Sequence, residues 1–419
     1  MWVGLALAAA GAVGCGGEGD GACTNASCKS AEVCREGRCE PVAPPQTTGE
    51  LGRYTRVAMR PDGRLVIATY DATFTNLVVR TEETDGSTRD RIVAGWRVED
   101  HQSVDADAGR WPSVALADDG AVHLSWYDAS AHALMWGRFQ GDGELEVAEV
   151  DGGGDFDRGT HSSLAVGTDG RVHIAYRDQG LGRLRYAERS PEGAWQSWGI
   201  DGCPLADGCD DVETDRGEWA ALALVAGQPR VAFYDRARGD LGMAVRGDDG
   251  VWQVSVLDGR DPVTGVDTGD VGRFVSVALD PKRRLGIAYY DATRGQLRYL
   301  APEGGAGGPV RVDDGVIADA ESGALRHNPV GQHVALRYDL QGKAHMIYLD
   351  AGRLALRHAT VVGTAVAAAV DLVGLAAGGH VDFRVAADGR LRGAYGPWRA
   401  GGSLRTDLGM IDLDGEGAP

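Results

Sequence analysis

The strongest constraint on this chain is an internal repeat: one unit of about 54 residues recurs seven times from residue 51 onward. An aspartate closes an apolar, aromatic strand in Thr69-Tyr70-Asp71, Trp126-Tyr127-Asp128, Tyr176-Arg177-Asp178, Phe233-Tyr234-Asp235, Tyr289-Tyr290-Asp291 and Tyr348-Leu349-Asp350. The seventh copy puts Pro397 there, after Ala394-Tyr395-Gly396. Eight residues upstream stands a turn residue (Gly63, Gly120, Gly170, Gly227, Arg283, Gly342, Gly389), and a short way downstream a leucine (Leu77, Leu134, Leu184, Leu241, Leu297, Leu354, Leu404). In copy three, Ser163 to Val166, the Asp169-Gly170 turn and the alternating Val172-His173-Ile174-Ala175-Tyr176 predict a hairpin. Leu184-Arg185-Tyr186 makes a third strand and Trp195 to Ile200 a fourth. Such a unit cannot bury an apolar face alone. Seven four-stranded antiparallel sheets stacked side by side close into an all-β, seven-bladed β-propeller.

Composition agrees. Glycine, 63 of 419 residues, runs at about twice its usual frequency without a collagen period, as many tight turns require. The Ala/Val-rich run 361–377 holds the outer-strand position of copy six, so Thr364 to Val370 is expected as strand, not helix. Copy four aligns only with a hairpin one residue shorter. The first copy opens on its innermost strand near Tyr54, and the last ends on an outer strand near Leu408 to Leu413. No strand is then exchanged to latch the ring, and blades one and seven are expected to meet by face packing.

Ahead of the repeats, Trp2 to Val13 is apolar and too short to span a bilayer, the length of a signal-peptide core. Ala12-Val13-Gly14-Cys15 resembles the lipobox of bacterial lipoproteins. That resemblance implies a signal over 1–15, acylation of Cys15 and, through Gly16, sorting to the outer membrane. Six cysteines remain, an even number. Cys23, Cys28, Cys34 and Cys39 contain no CxxC pair, so two disulfides in a knob over 16–40 are expected rather than zinc, with the pairing open. Cys203 and Cys209 share one loop that a disulfide would close. Residues 41–50 read as a Pro-rich linker, 51–413 as the propeller and 414–419 as a flexible tail.

One column of the repeat draws the ligand question to itself. Each copy opens with Gly-x followed by an aromatic or histidine: Tyr54, Trp111, His161, Trp219, Phe274, His333 and His380. The innermost strand of a propeller lines the axial channel, so these rings would circle one mouth. They serve either as a stacking platform for a sugar or peptide or as wedges between blades. The three imidazoles break the symmetry and can hydrogen-bond or titrate. The strand-ending aspartates suit Asx turns, as in Asp71-Ala72-Thr73. His123, His173 and His345 fall in dispersed blades and suit strand faces.

Formal charge is −19, and only Lys29, Lys282 and Lys343 are lysines among 42 basic residues. So uniform an arginine bias gives no reason to read any single Arg as an anion clamp. The acidic balance without a basic stripe excludes nucleic acid as a partner and leaves the lipid anchor as the membrane contact. The loops joining successive blades carry −16 of the −19, an acidic funnel that favours uncharged or cationic protein, peptide or glycan ligands. Calcium is a candidate at Asp207, Asp210, Asp211, Glu213 and Asp215 or at Asp105 and Asp107, without the EF-hand rhythm; no other cofactor is expected. No G-x-S-x-G, H-E-x-x-H or Gly-Lys phosphate loop occurs. Through the Asp-Gly turns and Tyr-Asp strand ends, residues 51–413 resemble sialidase-like and other bacterial extracellular propellers, while lacking the Ser-x-Asp-x-Gly-x-x-Trp box. The expected protein is a monomeric, exported, lipid-anchored binding or scaffold module of the cell envelope. The alternatives are a glycan hydrolase or lyase using funnel carboxylates, and a calcium-stabilised surface protein.

Overall fold

The structure, a computed structural model, describes residues 23–29, 32–36, 38–42, 48–99, 102–200, 215–261, 263–302, 308–318, 323–397 and 407–415. Cys15, Cys203, Cys209, Leu404 and the calcium candidates Asp207, Asp210, Asp211 and Glu213 lie outside them. The chain divides into two units, Met1–Gln46 with Trp96–Asp105, and Thr47–Gly95 with Ala106–Pro419. In the first unit a hairpin pairs Glu32–Arg35 with Arg38–Pro41, and disulfides join Cys23 to Cys34 and Cys28 to Cys39. The small hairpin Trp96–Glu99 with Gln102–Asp105 groups with this unit, whereas the sequence reads that stretch as a loop of the propeller.

The second unit is the propeller. Blades one to five are four-stranded antiparallel sheets in simple up-down order, for example Arg158–Val166, Val172–Asp178, Arg183–Arg189 and Trp195–Gly199 in blade three. Second strands are sandwiched between neighbouring blades on both faces, which is why Leu65–Asp71 is buried throughout. Val66, Ala68, Leu77 and Val79 of blade one thus pack on Val122, Leu124 and Trp126 of blade two. Blade four has the shorter first hairpin, with Val225 paired to Gln228 across Ala226-Gly227. The Ala/Val-rich run is extended, but in two pieces: Ala365–Val366, then a strand that begins at Val370. That second strand, Val370–Val385, is outermost in blade six and continues as the innermost strand of blade seven. Blade seven follows with Leu391–Pro397 and Gly409–Leu413. Its third strand therefore falls at Gly409–Leu413, later than the leucine spacing indicates.

Two columns of the repeat prove to be halves of one contact. Gly109 has φ +119, and a Cβ there would lie 2.6 Å from Leu77 Cβ, so the opening glycine of blade two rests on the third-strand leucine of blade one. Leu404, the leucine that precedes blade one around the ring, lies outside the described residues; Gly52 lies against the Gly396 backbone of blade seven, where an added Cβ would come within 2.5 Å of Gly396 Cα. The seam between blades seven and one also packs Leu51, Leu65 and Ile67 on Ala394 and Leu408. Face packing is present as expected, and hydrogen bonds add to it: Arg392 Nη1 donates to Gly63 O at 2.7 Å and Nη2 to Glu82 at 3.0 Å.

Candidate functional site

Each inner strand carries a β-bulge at the ring column. In blade three, Thr160 pairs with Arg177 and Ser163 with Ala175, so His161 and Ser162 together oppose Tyr176. The bulge holds the ring residue in the left-handed region in all seven blades, at φ 54, 47, 54, 49, 54, 52 and 54° from Tyr54 to His380. A bulky residue there costs about 1 kcal/mol, and seven such sites persist only because something over-determines them.

The rings themselves supply that. Successive centroids lie 5.0 Å (Tyr54–Trp111), 5.0 Å (Trp111–His161), 5.6 Å (His161–Trp219), 4.7 Å (Trp219–Phe274), 4.4 Å (Phe274–His333) and 4.3 Å (His333–His380) apart, and His380–Tyr54 closes the circuit at 4.8 Å. Tilted contacts of this kind contribute about 0.5–1.5 kcal/mol each beyond their buried area. The seven rings therefore form a continuous collar about the axis. A regular heptagon of that side puts the centroids about 5.6 Å from the axis, so ring atoms fill most of the opening. A second tier lies outside it, where Tyr70, Tyr127, Tyr234 and Tyr290 touch the collar.

The imidazoles are built in as neutral groups. Trp219 N–H donates to His161 Nδ1 at 3.1 Å, which leaves the proton of the neutral ring on Nε2. Burial, with Arg177 nearby, pulls His161 down to about 3. Burial likewise lowers His333 to about 4, and burial with His333 beside it drives His380 well below the usual histidine range.

Beneath the collar lies a cavity of about 530 Å³ that runs along the axis to the far ends of the inner strands, reaching Leu224, Leu279, Arg283 and Val385 at the hairpin face. All seven collar residues line it. Two positions beyond the collar, Ser113, Ser163 and Ser276 accept the backbone N–H of Leu164, Leu222 and Leu336 in the next blade, each at 3.0 Å. These serines are pegs between blades. Blade seven has Asp382 at the same position, and its Oδ2 accepts Val57 N–H of blade one at 2.8 Å, so the seam receives the same peg with a charge on it. Around that carboxylate stand Arg337, bonded through Nη2, and Arg384, whose Nη1 lies 3.0 and 3.2 Å from its oxygens. Arg56, at the peg position of blade one, faces the same cavity.

At the loop face three of the described acids are engaged. Asp107 is gripped by Arg110 and accepts Tyr70 O–H at 2.9 Å. Asp270 is held the same way by Arg273 and Tyr234, and Asp157 accepts Tyr127 O–H at 2.6 Å. The strand-ending aspartates do make Asx turns: Asp71 Oδ1 accepts Thr73 N–H at 2.8 Å, and Asp128 accepts Ser130 N–H at 2.9 Å. His123, His173 and His345 are buried on strand faces, beside Trp136, Tyr186 and His358. The three described cysteines whose sulfurs approach one another closely, Cys23, Cys28 and Cys39, are all in disulfides, which leaves them no thiolate to offer a metal. No described helix is long and apolar enough to cross a membrane.

The sequence brings the collar into view but not Arg56, Arg337, Arg384 and Asp382. Their signal is departure: Arg56 and Asp382 stand where other copies have Ser or Ala.

No protein-family model and no curated protein matches the sequence. Solved structures do. The polysaccharide lyase Uly1 is 13% identical with a TM-score of 0.51, covering 91% of this chain and 94% of its own. A puromycin hydrolase is 14% identical with a TM-score of 0.51, covering 88% of this chain and 53% of its own, so this chain spans about half of that enzyme. The fungal lectin of Aleuria aurantia, a six-bladed propeller with a novel mode of fucose recognition, is 13% identical with a TM-score of 0.44 over 77% of this chain and 97% of its own. The protein is a β-propeller. At these identities the likeness is one of fold, and fold does not carry an activity with it.

Proposed function

We propose that this protein is an exported, lipid-anchored propeller of the cell envelope that works as a non-catalytic binding module, with its ligand at the collar and axial channel. The observation that carries the reading is the collar: seven left-handed rings, each in contact with the next and all lining one cavity. Seven rings gathered at one concave mouth offer a stacking surface that a flat ligand group can use. The ligand presents a narrow, flat group to the rings, such as a sugar ring or a peptide end.

The net charge of the inter-blade loops stays negative with Arg110 already counted, while Asp107 and Asp270 themselves are paired with Arg110 and Arg273. A two-carboxylate glycosidase mechanism has a single carboxylate to draw on among the described residues of the cavity wall, Asp382, and that one is committed to two arginines. Alanine at Trp219 and His333 together should abolish retention on immobilised glycan and peptide arrays while moving the melting temperature by only a few degrees. A matching loss of fold would place the collar in the packing, and unchanged retention would remove it from the site. The anchor has its own test: a palmitate analogue should label the protein at Cys15 and fail to label Cys15→Ala.

A further inference from the structure

The axial cavity differs in charge from the molecule around it. In a chain of formal charge −19, its wall at blades six, seven and one gathers Arg337, Arg384 and Arg56 around one carboxylate. Asp382 is already committed to Val57 N–H, to Phe383 N–H at 2.8 Å, and to Arg337 and Arg384. Arg56 has no described carboxylate within 4.0 Å; its hydrogen bond runs from Nη1 to Thr55 O at 3.0 Å, and its side chain is exposed to the cavity. Burial first, and then the neighbouring Arg384 and Arg56, pull Arg337 down to about 9 against the opposing pull of Asp382.

The remaining wall also presents donors. Ser113, Ser163 and Ser276 each use the oxygen to accept a backbone N–H, so the hydroxyl hydrogens are left to donate. At the hairpin face, six of the seven first turns place glycine at φ 80–87° (Gly63, Gly120, Gly170, Gly227, Gly342, Gly389), and the seventh places Arg283 there at φ 61°. That strained substitution sets a further guanidinium at the cavity's edge.

We infer that the axial cavity is an oxyanion site: a carboxylate, sulfate or phosphate group of the ligand passes Arg283 from the hairpin face and is held among Arg56, Arg337 and Arg384. The inference rests on reading the channel as the ligand site and names the chemistry it takes. Forked guanidinium bonds to a planar or tetrahedral oxyanion are the strong class of hydrogen bond, and a cavity partly closed to solvent strengthens them further.

The test is titration of the full chain with glucuronate, inorganic sulfate and inorganic phosphate, followed by calorimetry and by the fluorescence of Trp111 and Trp219, which line the same cavity. Saturable binding that weakens with added salt is expected, and the tightest of the three probes tells a carboxylate source from an ester one. Arg56→Gln should weaken it by about tenfold to a hundredfold. Arg56 makes no ion pair with a described residue, so this variant keeps its structure. Arg283→Gly restores the repeat's own turn residue and should weaken binding severalfold. Arg390→Gln, whose guanidinium meets Asp412 outside the cavity, should bind as the parent does. Absence of saturable binding by all three probes, or equal affinity in Arg56→Gln and the parent, overturns the inference. Trp219→Ala with His333→Ala separates it from the collar reading: if only the collar reading fails, uncharged ligand is retained by that variant, and if only the oxyanion inference fails, the probes never bind while the parent still retains ligand.

Discussion

Replacing Asp382 by alanine tests how the ring is closed. In blades two and three the peg is a neutral serine, and removing it, as in Ser163→Ala, leaves Leu222 N–H unpaired at a cost of about 1–2 kcal/mol. Asp382→Ala deletes the corresponding bond to Val57 and also strips Arg337 and Arg384 of their shared counter-charge. Removing one partner of a buried ion pair costs about 3–5 kcal/mol. The carboxylate itself is 2% exposed. Arg337 and Arg384 keep 20% and 28% of their side chains accessible, so water screens part of the loss and the lower end, about 3 kcal/mol, applies. Asp382→Ser, which keeps the peg and loses the charge, should fall between the two. Urea unfolding monitored by tryptophan fluorescence, with a common m value across the set, reads these differences directly. If Asp382→Ala lies within about 0.5 kcal/mol of Ser163→Ala, the charged peg does not hold the seam and the argument fails.

Two further outcomes follow from the same contacts. His161 and His333 are depressed in the fold to about 3 and about 4, so the unfolded chain binds the extra protons between those values and about 6.5. Stability is therefore full above pH 6.5 and falls as pH drops toward 4, and phenylalanine at positions 161, 333 and 380 should flatten that slope in acid titrations of the unfolding free energy. Arg283→Gly removes a left-handed non-glycine residue and should raise stability by about 0.5 kcal/mol in the same urea assay, even as it weakens oxyanion binding.

The fold was readable because a propeller repeats its packing constraints. Five opening glycines, from Gly109 on Leu77 to Gly331 on Leu297, rest on the preceding blade's third-strand leucine, so each of those pairs is a single contact; Leu354 of copy six instead lies in the turn ahead of its third strand, Ala355–Val362. The ring column was visible for the same reason. Its left-handed backbone was not, because a bulge adds one residue to a strand without altering the apolar pattern that marks it. The shared strand Val370–Val385 was also hidden, since one long extended segment and two short ones read alike when small apolar residues run through both. The cavity's charge was the least legible feature. Arg56, Arg337 and Arg384 come from three different copies, and in a chain whose basic residues are nearly all arginine they carry no individual mark. Only the ring geometry brings them around Asp382.

The seam between blades seven and one has a consequence for the order in which the molecule becomes competent. Val57 and Asp382 are 325 residues apart, and drawing such distant points together costs about 5 kcal/mol of chain entropy before any contact there repays it. The neighbouring-blade peg from Ser113 to Leu164 closes 51 residues, about 1.6 kcal/mol less by the same relation, so adjacent blades are favoured to assemble first and the circle is completed last. The contact between Tyr54 and His380 lies across that join. Six blades and an unjoined seventh would carry every ring and yet leave the aperture slack. If the collar is the ligand site, as proposed, capture is an end-point readout of assembly, and a strain that parts the first blade from the last releases the ligand before it unfolds a single sheet.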